Sequence, residues 1–161
     1  MIVNAFTCSG AYAVLIMSGL KRVENRSALP VPARGRCAMS VSKKFCRAEY
    51  DNLVAWLAEH CHPATVSHLL KWDEVKSWPG CLVGTMDYAA TNRIPDAGAL
   101  AVECRIWNEG YANWWILSDI QRLPSPIPCR GNVGMWRLSP DLSGEVERIY
   151  TPAHSEIKCV T

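Results

Sequence analysis

Proline and glycine interrupt this chain so often that only one stretch, Arg47–His60, sustains a helical face, with Tyr50, Leu53, Val54, Leu57 and Ala58 on one side. Pro30, Pro32, Pro63, Pro79-Gly80 and the prolines from Pro124 to Pro128 leave mostly short runs between them. A chain cut in this way suits a fold of short strands better than a helical bundle. Residues 3–8, 21–26, 36–42, 81–88, 114–118 and 134–138 read as strands. An apolar helix is expected over 11–18, ended by Gly19 as a natural C-cap, and a second short helix over 64–71. The run from Pro124 to Pro128 is expected to be a loop, because proline cannot serve a central strand. Residues 139–161 are polar and weakly patterned. The reading is one β-rich domain over 1–140 and a C-terminal tail over 141–161, loosely held or packed on the domain.

The length of 161 residues suits one domain, and 49% hydrophobic with 20% charged residues is ordinary for a soluble globular protein and excludes disorder. Net charge is only +2, but residues 21–47 hold eight Lys and Arg against a single acid, Glu24. A positive region on a weakly charged body suits an anionic ligand, or is a solvated face that keeps the protein soluble. The eight cysteines are scattered singly with no Cys-x-x-Cys pair. They read as reduced thiols of a cytoplasmic protein, with no disulfide, no structural metal and no cofactor. Residues 11–17 are apolar but too short to span a membrane, which needs roughly 20 residues.

The segment from Gly19 to Arg26 reads G-x-K-x-x-E-x-R. Strand alternation over 21–26 would turn Lys21, Val23 and Asn25 to one side and Arg22, Glu24 and Arg26 to the other. A glutamate between two arginines can hold a guanidinium in a fixed fork and leave donors for phosphate or a base edge. The same residues also fit a charge ladder on an exposed strand. Because Lys21 follows Gly19 so closely, it can lie in the turn, where alternation does not apply, and reach Glu24.

This pattern resembles the signature of ASCH domains, a branch of the PUA-like superfamily. Tyr12-Ala13 matches the family's aromatic-Ala pair, Arg34-Gly35-Arg36 opens the next strand and Ser42-Lys43-Lys44 closes it. Residues 80–87 resemble a glycine-bounded family strand, and Trp115 to Ser118, Pro126 to Pro128, Arg130-Gly131 and Gly134 to Trp136 follow the closing order. The resemblance covers roughly residues 5–138. It implies an α+β fold, a mixed, mostly antiparallel β pseudo-barrel with flanking helices, and a cleft formed by Lys21, Glu24 and Arg26 with Arg34, Lys43 and Lys44 beside it. It also implies binding of RNA or a modified nucleotide. The alternative is a hydrolase acting on an acylated nucleoside such as N4-acetylcytidine, or a ribonuclease, with Glu24 as base and Lys21 supporting an oxyanion. The chain departs from the family in Gly10-Ala11, where Gln-Pro is common, and in Glu24, where the amidohydrolase-like members place threonine.

Other features have simpler readings. His60-Cys61-His62 would end a helix, where side chains two apart share no face. Trp114-Trp115 would point to opposite faces of a strand, so that at most one packs in the core. Trp136 is expected in the core, and Trp72 and Trp78 on a loop, where they could stack on bases. A third reading is a protein-interaction surface on the helical segment 47–71.

Overall fold

The computed structural model describes residues 2–93 and 113–150. Six strands form one sheet: β1 (Asn4–Cys8), β2 (Val23–Arg26), β3 (Arg34–Val41), β4 (Cys81–Thr91), β5 (Asn113–Pro128) and β6 (Met135–Arg137). Their order is β2-β5-β4-β3-β1-β6. Neighbours run antiparallel except β1 and β3, which are parallel. The helices are α1 (Gly10–Met17), α2 (Arg47–His60), α3 (Pro63–Ser67), α4 (Trp72–Val75) and α5 (Pro140–Tyr150). The fold is α+β, a mixed half-barrel with flanking helices, as the resemblance implies. Among the described residues no helix is long and apolar enough to cross a membrane.

Helix α1 is apolar throughout, which marks a helix buried on all sides. Ala13, Val14, Leu15 and Ile16 are all buried, between α2 and one face of the sheet. Ser9 caps its start by accepting from the Tyr12 N–H. Gly19, with φ of +73°, ends it, while the Leu20 N–H donates to the Leu15 carbonyl at 2.9 Å. Gly10 is required by close approach: a Cβ there would fall 1.9 Å from Phe45 Cδ2, inside the same core. Gly10→Ala should therefore lower stability by about 1–3 kcal/mol through overpacking. A urea denaturation midpoint that does not fall would contradict this.

The two sheet faces bury separate cores, as period-two alternation requires. Phe6, Cys37, Met39, Met86, Tyr88, Trp115 and Leu117 join α1 and α2. On the other face Ala5, Ala38, Leu82, Leu123 and Ile127 pack with Val146 of α5. The C-terminal region is thus helical through Tyr150 and packs on this face, so the core does not end at residue 140. Ser143 Oγ donates to the Ile2 carbonyl at 2.6 Å, and the Ile2 N–H donates to Glu147 Oε1 at 2.6 Å. Residues 151–161 lie outside the described residues.

Strand β5 overturns the expectation of a loop over Pro124 to Pro128. The ladder with β4 jumps from Leu82↔Ile127 to Gly84↔Arg122, so Pro124 and Pro126 fall in an interruption where no ladder donor is needed. Beyond Ile116 no strand among the described residues lies beside the other edge of β5, since β2 pairs with Asn113 to Ile116. The expected helix over 64–71 is shorter, α3 ending at Ser67, and the separate turn α4 begins only at Trp72. The histidines serve helix ends: His62 Nδ1 accepts from the Ala64 N–H, and His60 stacks on Trp56 at 4.8 Å.

A second bulge, where Asp87 pairs with Ser118 and Thr85 with Gln121, places Asp119 in the left-handed region at φ 44°. Arg36 Nη1 donates to Asp119 Oδ2 at 2.5 Å and to Asp87 Oδ1 at 3.1 Å. The Arg36 hydrogen bond, followed by that of Gln121, holds the Asp119 carboxyl below its ordinary range. A carboxyl depressed by folding stabilises the protein above its unfolded value of about 3.9 and loses that contribution as pH falls through its lower folded value. Asp119→Asn should flatten the acid limb of melting temperature against pH. An unchanged acid limb would show that the contact contributes nothing.

Candidate functional site

Strand β2 begins only at Val23, so Lys21 lies in the turn after α1, its N–H still donating to the Leu15 carbonyl at 3.3 Å. Freed from alternation, its ammonium sits 3.5 Å from Glu24 Oε2, donates to the Val23 carbonyl and lies 4.9 Å from the centre of the Tyr12 ring. Glu24 and Arg26 are two apart in the strand and share a face. Arg26 Nη2 approaches Glu24 Oε1 at 2.9 Å. The structure thus brings Lys21, Glu24 and Arg26 together, but at different depths. Lys21 is 1% exposed and Glu24 5%. The Arg26 side chain, at 21%, is the most exposed of the three. Cys8 lies under the cluster with Sγ 3.9 Å from Glu24 Oε2, and burial, then the Glu24 charge, pushes its thiol well up.

Arg26 also bridges the open side of the half-barrel. Its Nη2 donates to the Thr7 carbonyl of β1 at 2.7 Å, although β1 and β2 are not neighbours in the sheet. The guanidinium lies 5.3 Å from the Phe6 ring centre and 5.4 Å from that of Trp115. Glu24 from below, the Thr7 carbonyl from the side and two aromatic rings fix its plane, so the fork is preorganised.

Two clefts meet at this arginine. The first, of about 540 Å³, is lined by Arg26, Lys43 and Arg130 with Thr7, Ser42 and Asn132, and carries no acidic side chain among its described residues. It opens where the parallel strands β1 and β3 end. The Ser42 N–H donates to the Cys8 carbonyl, the Gly80 N–H to that of Val41, and the Cys129 N–H to that of Gly80. These bonds hold Lys43 and Arg130 on either side of the opening. Gly131 lets its loop settle onto β1, since a Cβ there would lie 2.6 Å from Thr7 Oγ1. The second cleft, of about 440 Å³, shares Arg26 and Val133 with the first. It lies between the two edge strands, β2 and β6, and is lined by Trp115, Trp136, Leu29 and Arg137 among others.

Of the residues singled out in the sequence, Arg26 and Lys43 line the first cleft, and Lys21 and Glu24 lie beneath Arg26 as its support. Arg34 is exposed at the start of β3, paired with Ala89, and Lys44 is exposed beside Lys43; neither lines these two clefts. Arg130, Thr7 and Asn132 were missed. The sequence signal for the first was Arg130-Gly131, a cation beside a glycine in the loop that follows the proline run.

The tryptophan expectations need correction. Trp114 and Trp115 do face opposite sides of β5, but both are buried, Trp114 against Val23 and Trp115 in the main core. Trp78 is buried in that core and cannot stack on a base, and Trp72 packs between Phe45 and Tyr50. Trp136, expected in the core, is half-buried: it packs against the second core and also lines the second cleft, with Nε1 donating to Thr7 Oγ1 at 3.3 Å. The described cysteines, Cys8, Cys37, Cys46, Cys61, Cys81 and Cys129, are free thiols. Burial pushes Cys37 up to about 12 and Cys129 up to about 11. No group of three or more metal-ligating side chains occurs among the described residues.

No protein-family model and no curated protein matches the chain. Among solved structures, the chain is similar to the crystal structure of a mutant ZmASCH protein from Zymomonas mobilis, with 14% sequence identity, a TM-score of 0.49, and coverage of 91% of this chain and 96% of that one.

Proposed function

We propose that this chain is a binding module for RNA or a modified nucleotide, with the ligand's phosphate groups held by the cations of the first cleft. The observation that carries the reading is the convergence of Arg26, Lys43 and Arg130 on one cleft with no acidic side chain among its described lining residues. Three cations from separate segments create a local field that favours an anion. Arg26 supplies the directional contact, because Glu24 and Thr7 already fix its plane. Thr7, Ser42 and Asn132 add neutral hydrogen-bonding groups suited to sugar hydroxyls or phosphate oxygens. Glu24 acts here as a positioning residue: it is buried and engaged by Lys21 and Arg26, which supports binding over activation of water. Free thiols accord with residence in a reducing cytoplasm.

The test is a titration of fluorescent single-stranded RNA over a range of salt concentrations. Three phosphate contacts should give a slope of log K against log salt near −2, since each contributes about −0.7 on a single strand. Arg26→Gln, Lys43→Gln and Arg130→Gln should each weaken binding roughly tenfold and reduce that slope by about 0.7. Salt-independent binding, or three variants that bind like the parent, would overturn the proposal.

A further inference from the structure

The second cleft differs in chemistry from the first while sharing its key arginine. Its walls carry the indoles of Trp115 and Trp136, and Leu29, Val31 and Val133 stand exposed among its lining residues at 43%, 91% and 100%. Its cations are Arg26 and Arg137, and it too has no acidic side chain among its described lining residues. Trp115 is only 2% exposed, yet its Nε1 is buried with no hydrogen-bond partner among the described residues, and so is Arg26 Nε. Buried donors are seldom left unpaired. The Arg26 guanidinium carbon lies 5.4 Å from the centre of the Trp115 ring, and both residues line this cleft. The Trp136 indole is held in place by its bond to Thr7 Oγ1, a residue that lines the first cleft.

We infer that the aromatic cleft between β2 and β6 receives the base of the nucleotide whose phosphate occupies the cationic cleft. The inference rests on the binding reading above and adds to it which part of the ligand lies where. The Trp136 ring provides a stacking face, and stacking tolerates any base. Every base also carries a carbonyl oxygen or a ring nitrogen able to accept from an N–H donor, so the cleft is expected to take purines and pyrimidines alike. Apolar side chains at the cleft shield the base from water, while the charged groups stay on the phosphate side.

Calorimetric titration of uridine monophosphate, adenosine monophosphate and ribose 5-phosphate separates the parts. Uridine monophosphate should bind about tenfold more tightly than ribose 5-phosphate, because stacking adds to the phosphate contact. Trp136→Leu should remove that advantage, costing uridine monophosphate far more than ribose 5-phosphate. If ribose 5-phosphate binds and uridine monophosphate binds no better, the base subsite is wrong and the cationic cleft stands. If no probe binds, the cationic cleft itself fails and the base subsite with it. Equal losses for all three probes in Trp136→Leu would also overturn the inference.

Discussion

Glu24→Ala is expected to lose about 3–5 kcal/mol of folding stability, the range for removing one partner of a buried ion pair. The carboxylate lies between Lys21 and Arg26, and Lys21, at 1% exposure, has no route to water once its partner is gone. Anion binding should fall as well, because Arg26 loses the contact that fixes its plane. Arg26→Gln provides the contrast. Its side chain is partly exposed and Lys21 still balances Glu24, so binding should fall with a much smaller change in stability. Lys21→Ala should destabilise too, since the ammonium is buried beneath the cleft instead of lining it. Chemical denaturation of the three variants checks the order. A Glu24→Ala protein that unfolds at the parent's denaturant concentration would show that the buried cluster does not hold this end of the barrel.

Val146→Asp is expected to cost a similar amount, about 3–5 kcal/mol, because it places an unpaired charge in a closed core. Val146 is fully buried against Ala5, Ala38, Leu82 and Leu138 on the sheet face opposite α1. The same substitution at exposed Arg148 should change stability little, apart from the loss of its bond to the Gly144 carbonyl. Equal, small effects at both positions would mean that α5 does not cover this face.

Local signals made much of the fold legible. The continuous apolar run and Gly19 located α1, and the spacing of Tyr50, Leu53 and Leu57 marked α2 over Arg47–His60. Less legible features depended on tertiary context. The prolines of β5 read as a loop because no local rule reveals that its ladder breaks where they fall. Helix α5 was legible after all: Leu142, Val146 and Ile149 recur at i, i+4 and i+7, an amphipathic spacing set among polar residues. Trp136 was assigned to the core from its place in a closing strand, but that strand is an edge, and edges line clefts.

The candidate site was legible in its motif and illegible in its depth. Spacing placed Glu24 and Arg26 on one face, and the turn after Gly19 explained how Lys21 joins them. What spacing could not indicate is that two of the three charges are buried. The cations beside Arg26 come from loops distant in sequence, Lys43 after β3 and Arg130 after β5. Only the parallel pairing of β1 with β3, and the bonds through Gly80, bring those loops together.

The central claim is that the cationic cleft around Arg26 is where an anionic ligand binds. The most direct test is a map of backbone amide shifts by nuclear magnetic resonance during titration with a short single-stranded RNA. The account predicts the largest shifts at Thr7, Ser42, Lys43 and the loop from Arg130 to Val133, with smaller ones along β6. Shifts concentrated on α2 and α3, or confined to exposed Arg34 and Lys44 while the cleft stays silent, would contradict it.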